Sequence, residues 1–172
     1  MRLRRHNTLF PGDILLFKPR GKKQEDLSDK FISWGQQFFK KVPSKVNYVH
    51  VAMVDWNEEY ILESVWPKTR VTNLAVKRST STDKIEVWRI KHLTKEQCTK
   101  MLDYGHSHLG LWYDLPLLLT GCLSLKHTEI CSVFVSQMCH AAGLDIPYGS
   151  TGKKLVIPDD YVDCNTMLER VM

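Results

Sequence analysis

The sequence predicts an α+β fold with a small antiparallel sheet, and three observations predict it. Short strand-like runs cluster in the middle of the chain, two of them joined by a polar loop of hairpin length. An apolar repeat of helical period follows later, around Cys131. The order is strand, helix, several strands, then helices, which segregates the sheet from the later helices. The chain has 172 residues, 43% of them hydrophobic, enough for a real core in a single domain spanning residues 1–172. Charged residues make up 25%, an ordinary share for a globular protein that argues against disorder over the whole length.

Each element has its own signal. Gly12-Asp13-Ile14-Leu15-Leu16-Phe17 reads as a turn and a buried strand. Residues 18–23, with Pro19 and Gly21, form a basic loop. Residues 29–40 read as a helix with Phe31, Ile32, Trp34, Phe38 and Phe39 on a broad apolar face. Tyr48-Val49-His50-Val51-Ala52-Met53-Val54 is strand-like, and Tyr60-Ile61-Leu62-Glu63-Ser64-Val65 is its return strand across a loop at 55–59. A further strand is expected near 70–76, and the Ser/Thr-rich run 78–84 reads as a loop. Ile85-Glu86-Val87-Trp88-Arg89-Ile90 alternates as a half-buried strand should.

Residues 94–108 form a helix with Thr94 as N-cap, and Gly110 is its stop signal. Residues 111–125 are unusually apolar and have no clear assignment. The next helix opens at Thr128 or Glu129, runs from about Ile130 to Ala142 and ends at Gly143. Residues 147–154 are loop, and Ile157-Pro158-Asp159-Asp160 starts a short C-terminal helix with proline near its first turn.

The chemistry is expected where a cysteine opens a helix. Cys131, Phe134, Val135, Met138 and Ala142 share one helical face, which places Cys131 in the first turn and facing inward. The positive end of the helix dipole favours a thiolate there. The first-turn N–H groups have no helical partners and suit an oxyanion beside the sulfur. A lone buried cysteine ordinarily packs as a small hydrophobe. His50 changes that, because it stands in an otherwise apolar strand and can take the proton of a facing thiol. Glu63 is the candidate to hold the imidazole in one tautomer. A four-residue loop at 55–58 puts it directly opposite His50, whereas a five-residue loop puts Ser64 there instead.

These pieces, in this order, resemble the permuted papain-like enzymes of the NlpC-type superfamily, in the YiiX-like branch related to lecithin:retinol acyltransferase-like proteins. The resemblance runs from about Gly12 to Asp160. It rests on Gly12-Asp13-Ile14-Leu15, Tyr48-Val49-His50-Val51-Ala52, Ile61-Leu62-Glu63-Ser64, Gly110-Leu111-Trp112-Tyr113-Asp114, Ile130-Cys131-Ser132-Val133-Phe134-Val135 and Val156-Ile157-Pro158-Asp159-Asp160. Two positions depart from it: Val133 stands where many relatives carry glutamate, and Tyr48-Val49 replaces a small polar residue before the histidine.

The resemblance implies a circularly permuted papain-like fold, its small antiparallel sheet packed against the nucleophile-bearing helix. It implies Cys131 as nucleophile, His50 as base and Glu63 as orienting group. Tyr113, Asp114 and Trp112 are the expected substrate-binding residues, with Tyr113 a donor to the oxyanion. The expected activity is a cysteine hydrolase or acyltransferase acting on an amide or ester bond of a peptide or lipid-derived acyl substrate. The apolar run 111–125 suits an acyl pocket or a peripheral membrane contact, and otherwise a buried core segment.

Composition bounds the rest. Five cysteines without a CxxC pair, and no secretory signal or apolar run of membrane-spanning length, point to reduced thiols and a cytoplasmic protein. No cofactor or metal is expected. Cys122, His127 and Cys131, with His106 and His108 nearby, make a rival zinc set that lacks the tight ligand pairs of such sites. A second rival is a non-catalytic lipid- or anion-binding module, using Lys18, Arg20, Lys22, Lys23, Lys40, Lys41 and Lys45 of a chain with net charge +5. Few aromatics accompany those cations, which argues against nucleic acid.

Overall fold

A computed structural model describes residues 8–19, 47–81, 83–114, 128–147 and 156–172. The helix expected at 29–40, the apolar segment beyond Asp114, the zinc candidates Cys122 and His127, and the cations from Arg20 to Lys45 lie outside the described residues.

The architecture is α+β, as the sequence predicts. The strands are β1 (Ile14–Lys18), β2 (His50–Val54), β3 (Tyr60–Val65), β4 (Lys68–Asn73), β5 (Lys84–Ile90), β6 (Trp112–Tyr113), β7 (Thr128–Glu129) and β8 (Leu168–Arg170). They form one sheet in the order β7-β6-β4-β3-β2-β1-β5-β8. Seven strands pair antiparallel, and β7 joins the edge of β6 in parallel. The helices are α1 (Leu74–Thr80), α2 (Lys95–Ser107) and α3 (Cys131–Ala141), and a 3-10 turn spans Pro158–Tyr161.

Strand alternation separates two apolar clusters. Ile14, Leu16, Val51, Met53 and Leu62 pack with Phe134, Val135 and Met138 of α3 and with Met101 and Leu102 of α2. Leu15, Phe17, Ala52, Val54, Ile61 and Val87 pack with Leu74 of α1 on the other face. Fully burying one side chain such as Phe134 stabilises by about 1.5–3 kcal/mol, which ties α3 firmly behind β2 and β3. At Gly105 of α2, an added Cβ would lie 2.7 Å from Met138 Cε and 2.8 Å from Leu62 Cδ1, so glycine lets α2 lie close to both.

Several expectations are corrected. The run 78–84 is not all loop: Asn73 ends β4 and accepts hydrogen bonds from the N–H groups of Ala75 and Val76, opening α1, which extends to Thr80. An Asn side chain at an N-cap overrides the weak helix propensity of the Ser and Thr that follow. Thr128 and Glu129 do not open α3 but form β7; Ile130 is the N-cap residue and offers no side-chain bond. The register of β2 and β3, which the sequence leaves open, is fixed by their pairing. β2 and β3 pair Met53 with Leu62 and Val54 with Ile61, and Asp55 N–H donates to Tyr60 C=O. The loop therefore has four residues, 56–59, and matches neither of the two alternatives, 55–58 and a five-residue loop. In this register His50 and Glu63 are diagonal neighbours on one face.

The strand expected near 70–76 spans Lys68–Asn73 instead, and residues 74–76 belong to α1. Thr94 caps α2 in a capping box with Gln97. Gly143, at a left-handed φ of 72°, follows α3. Among the described residues, no helix is long and apolar enough to cross a membrane.

Candidate active site

His50 opens β2, where its parity with Ala52 and Val54 puts the ring on the α1 side of the sheet. Its Nε2 lies 2.8 Å from Glu63 Oε2, and its ring stands 5.0 Å from that of Phe17 on β1. With Nε2 committed to the carboxylate, Nδ1 is left to address the thiol.

Cys131, the first residue of α3, packs mainly with the opposite cluster. Its sulfur nevertheless reaches the ring and hydrogen-bonds to it. The sequence of β2 and β3 explains how. Their ladder is in register at Met53 and Val54, farther from the site. At the His50 end, the N–H of Val51 turns to the sulfur, and the N–H of Ser132 does so from the helix start. Cys131 thus meets the end of the strand pair, and no side-chain cap at Ile130 competes for the amides of the first turn.

Glu63 is fully buried, and five donor atoms surround its carboxylate. Oε2 accepts from His50 Nε2 at 2.8 Å and from Lys77 Nζ at 2.7 Å. Oε1 accepts from Thr72 Oγ1 at 2.7 Å and from Arg70 Nε and Nη2, both at 3.3 Å. The β3–β4 register sets Arg70 directly across from Glu63 and Thr72 two residues along on the same face. Lys77 comes from α1, whose Leu74 anchors it to that face.

The electrostatics follow from these contacts. Burial alone would neutralise Glu63, but the bond and charge of His50 and the ammonium of Lys77 hold its carboxyl well below the usual range. Burial and the charge of Lys77 press His50 toward its neutral form. The bonds to Cys131 and Glu63 outweigh them and raise its pKa above the ordinary 6.5. Burial pushes the Cys131 thiol up, yet the bond and charge of His50, with the two backbone amides, bring it below the ordinary 9.0. Both shifts favour a thiolate–imidazolium pair.

Tyr113 on β6 is buried and hydrogen-bonds to Cys131. Burial, and then the charge and hydrogen bond of Cys131, keep its phenol protonated far above the ordinary 10.0, so its hydroxyl serves as a donor. Asp114 is fully buried beside it. Trp112 is 56% exposed, with Lys68 Nζ 4.5 Å from its ring centroid. Neighbours on a strand face opposite ways, so β6 turns Trp112 away from the side where Tyr113 meets the sulfur.

The site therefore unites Cys131, His50, Glu63 and Tyr113 with Asp114 alongside. Lys77, Arg70 and Thr72 escape notice in the sequence; the one signal for Arg70 and Thr72 is their shared parity on the strand after Glu63. Among the described residues, no group of three or more His, Cys, Asp or Glu side chains is disposed to hold a metal ion. His106 instead pairs with Asp55 at 2.7 Å, and His108 stacks on Tyr104. No protein-family model matches the chain, and no curated protein matches it.

Proposed function

We propose that this protein is a cysteine hydrolase or acyltransferase on a circularly permuted papain-like fold, with histidine preceding cysteine as in the YiiX-like branch. The observation that carries the proposal is the run of three buried groups, Cys131–His50–Glu63, in which each hydrogen-bonds the next. Supporting it are the helix-start position of the thiol, the strand position of the imidazole and the directions in which the two are shifted.

In this mechanism the Cys131 thiolate attacks the carbonyl carbon of an amide or ester, and the carbonyl electron pair moves onto oxygen. First-turn amides of α3 and the Tyr113 hydroxyl stabilise that oxyanion. As the intermediate collapses, the bond to the leaving group breaks and the His50 imidazolium supplies the proton that group needs. A thioester on Cys131 results. Water or an acceptor amine or alcohol, deprotonated by His50, then attacks the thioester and restores the thiol. Glu63 keeps the ring oriented and balances its charge. The substrate is a peptide or lipid-derived acyl compound. The free thiols of Cys98, Cys131, Cys139 and Cys164 suit a reducing, cytoplasm-like setting.

The test is to trap the acyl-enzyme. The full chain is mixed with activated acyl esters and with peptide thioesters, quenched in acid and mapped by mass spectrometry. An acyl adduct on Cys131, absent from His50→Ala, is expected. Adducts spread over all cysteines, or none on Cys131, would sink the proposal.

A further inference from the structure

Glu63 has more positive company than orienting one imidazole requires. His50 is met by Glu63 from β3, by Cys131 from α3 and by the uncharged Phe17 ring from β1. Behind Glu63 stand Lys77 from α1 and Arg70 and Thr72 from β4. Tyr113 from β6 faces Cys131, with Asp114 beside it.

Lys77 and Arg70 are not equivalent. Lys77 bonds the same oxygen as His50, at 2.7 Å, and its side chain is only 17% exposed. Arg70 bonds the other oxygen at 3.3 Å, and its side chain is 51% exposed. Two cations on one oxygen atom stand within the range, roughly 4–6 Å, over which like charges lower each other's pKa. Water screens Arg70 far more than Lys77.

We propose that Lys77 is a positioning residue that sets the working pH range of the thiol–imidazole pair. By sharing Oε2 of Glu63 with His50, it keeps the carboxylate ionised and limits that carboxylate's hold on the imidazolium. The ring can then release its proton to a leaving group rather than keep it. This role rests on the proposed Cys131–His50 chemistry. The ammonium also stands 5.4 Å from the Phe17 ring centroid, which fixes its stem over the sheet. The Coulombic effect of Lys77 on His50 lowers the latter's pKa, as the role requires.

The test uses the full chain with Lys77→Gln, Lys77→Met, Lys77→Arg and Arg70→Gln. Two quantities are read: the NMR titration of the His50 ring, and the pH profile of Cys131 alkylation by iodoacetamide. Removing the charge raises the His50 midpoint by roughly one unit and carries the alkaline limb of the alkylation profile with it. Lys77→Arg stays near the parent, and Arg70→Gln moves it less. Lys77→Met keeps an apolar stem over Phe17 and gives the same reading should Lys77→Gln fail to fold. A folded, charge-free variant whose His50 midpoint stays in place or falls overturns the role. If the parent's Cys131 alkylates no faster than its other cysteines, the catalytic proposal fails instead, and the His50 titration still reports on Lys77.

Discussion

Cys131 and Cys139 lie on one helix, about two turns apart, and both are buried. Their surroundings shift them in opposite directions. Burial, reinforced by the nearby Cys164, pushes Cys139 up to about 12. Burial pushes Cys131 the same way, yet it ends below 9.0 because His50 and two amides reach its sulfur. The contrast teaches that neither depth nor helix membership sets the direction in which a buried thiol is shifted. Partners at the helix start do, and a strand end supplies them.

The largest expected effect comes from removing one sulfur and not the other. Cys131→Ala should abolish acyl transfer, a loss on the order of 10³-fold or more, measured as turnover of whichever acyl probe acylates the parent. Cys139→Ala should leave that rate unchanged.

Next, His50→Ala should turn Cys131 into a second Cys139. Its alkylation at neutral pH should fall on the order of 10²-fold, read by stopped-time labelling. A small change would mean that the helix start alone activates the thiol.

Glu63→Gln acts through both the ring and the cations it leaves behind. Stranding partly buried positive charge should destabilise the fold by about 3 kcal/mol, measured by urea unfolding. The parent should also lose stability in acid. The folded pKa of Glu63 is depressed below its ordinary 4.5, so its contribution is complete above that pH. It is lost as pH falls toward the depressed value. Glu63→Gln should flatten that acid limb. His50 works in the opposite sense. Its raised pKa stabilises below the ordinary 6.5 and that contribution fades as pH climbs through the folded value.

The smallest effect belongs to the inert thiol. Cys139→Ala should cost about 1 kcal/mol of stability from lost packing, with no change in the labelling of Cys131.

Much of this contrast is legible in the sequence. The repeat from Cys131 to Ala142 places the thiol at a helix start, and the β-branched run around His50 marks a strand. Glu63 is legible only as a candidate, because its face depends on a loop length the sequence leaves open; the four-residue loop at 56–59 puts it on the ring's face. What escapes notice depends on other elements. Lys77 belongs to a helix hidden in a Ser/Thr-rich run, where the Asn73 cap decides the outcome rather than propensity. β6 and β7 have two residues each, too short for any periodicity. Trp112 looks like a pocket residue beside Tyr113, but strand alternation turns it outward.

The most direct measurement is the second-order rate of iodoacetamide with each cysteine across pH, resolved by peptide mapping. Cys131 should stand alone in reacting rapidly near neutrality, while Cys139 responds only in strong alkali. Matching curves for these two thiols would contradict the claim that His50 and the helix start reverse what burial imposes.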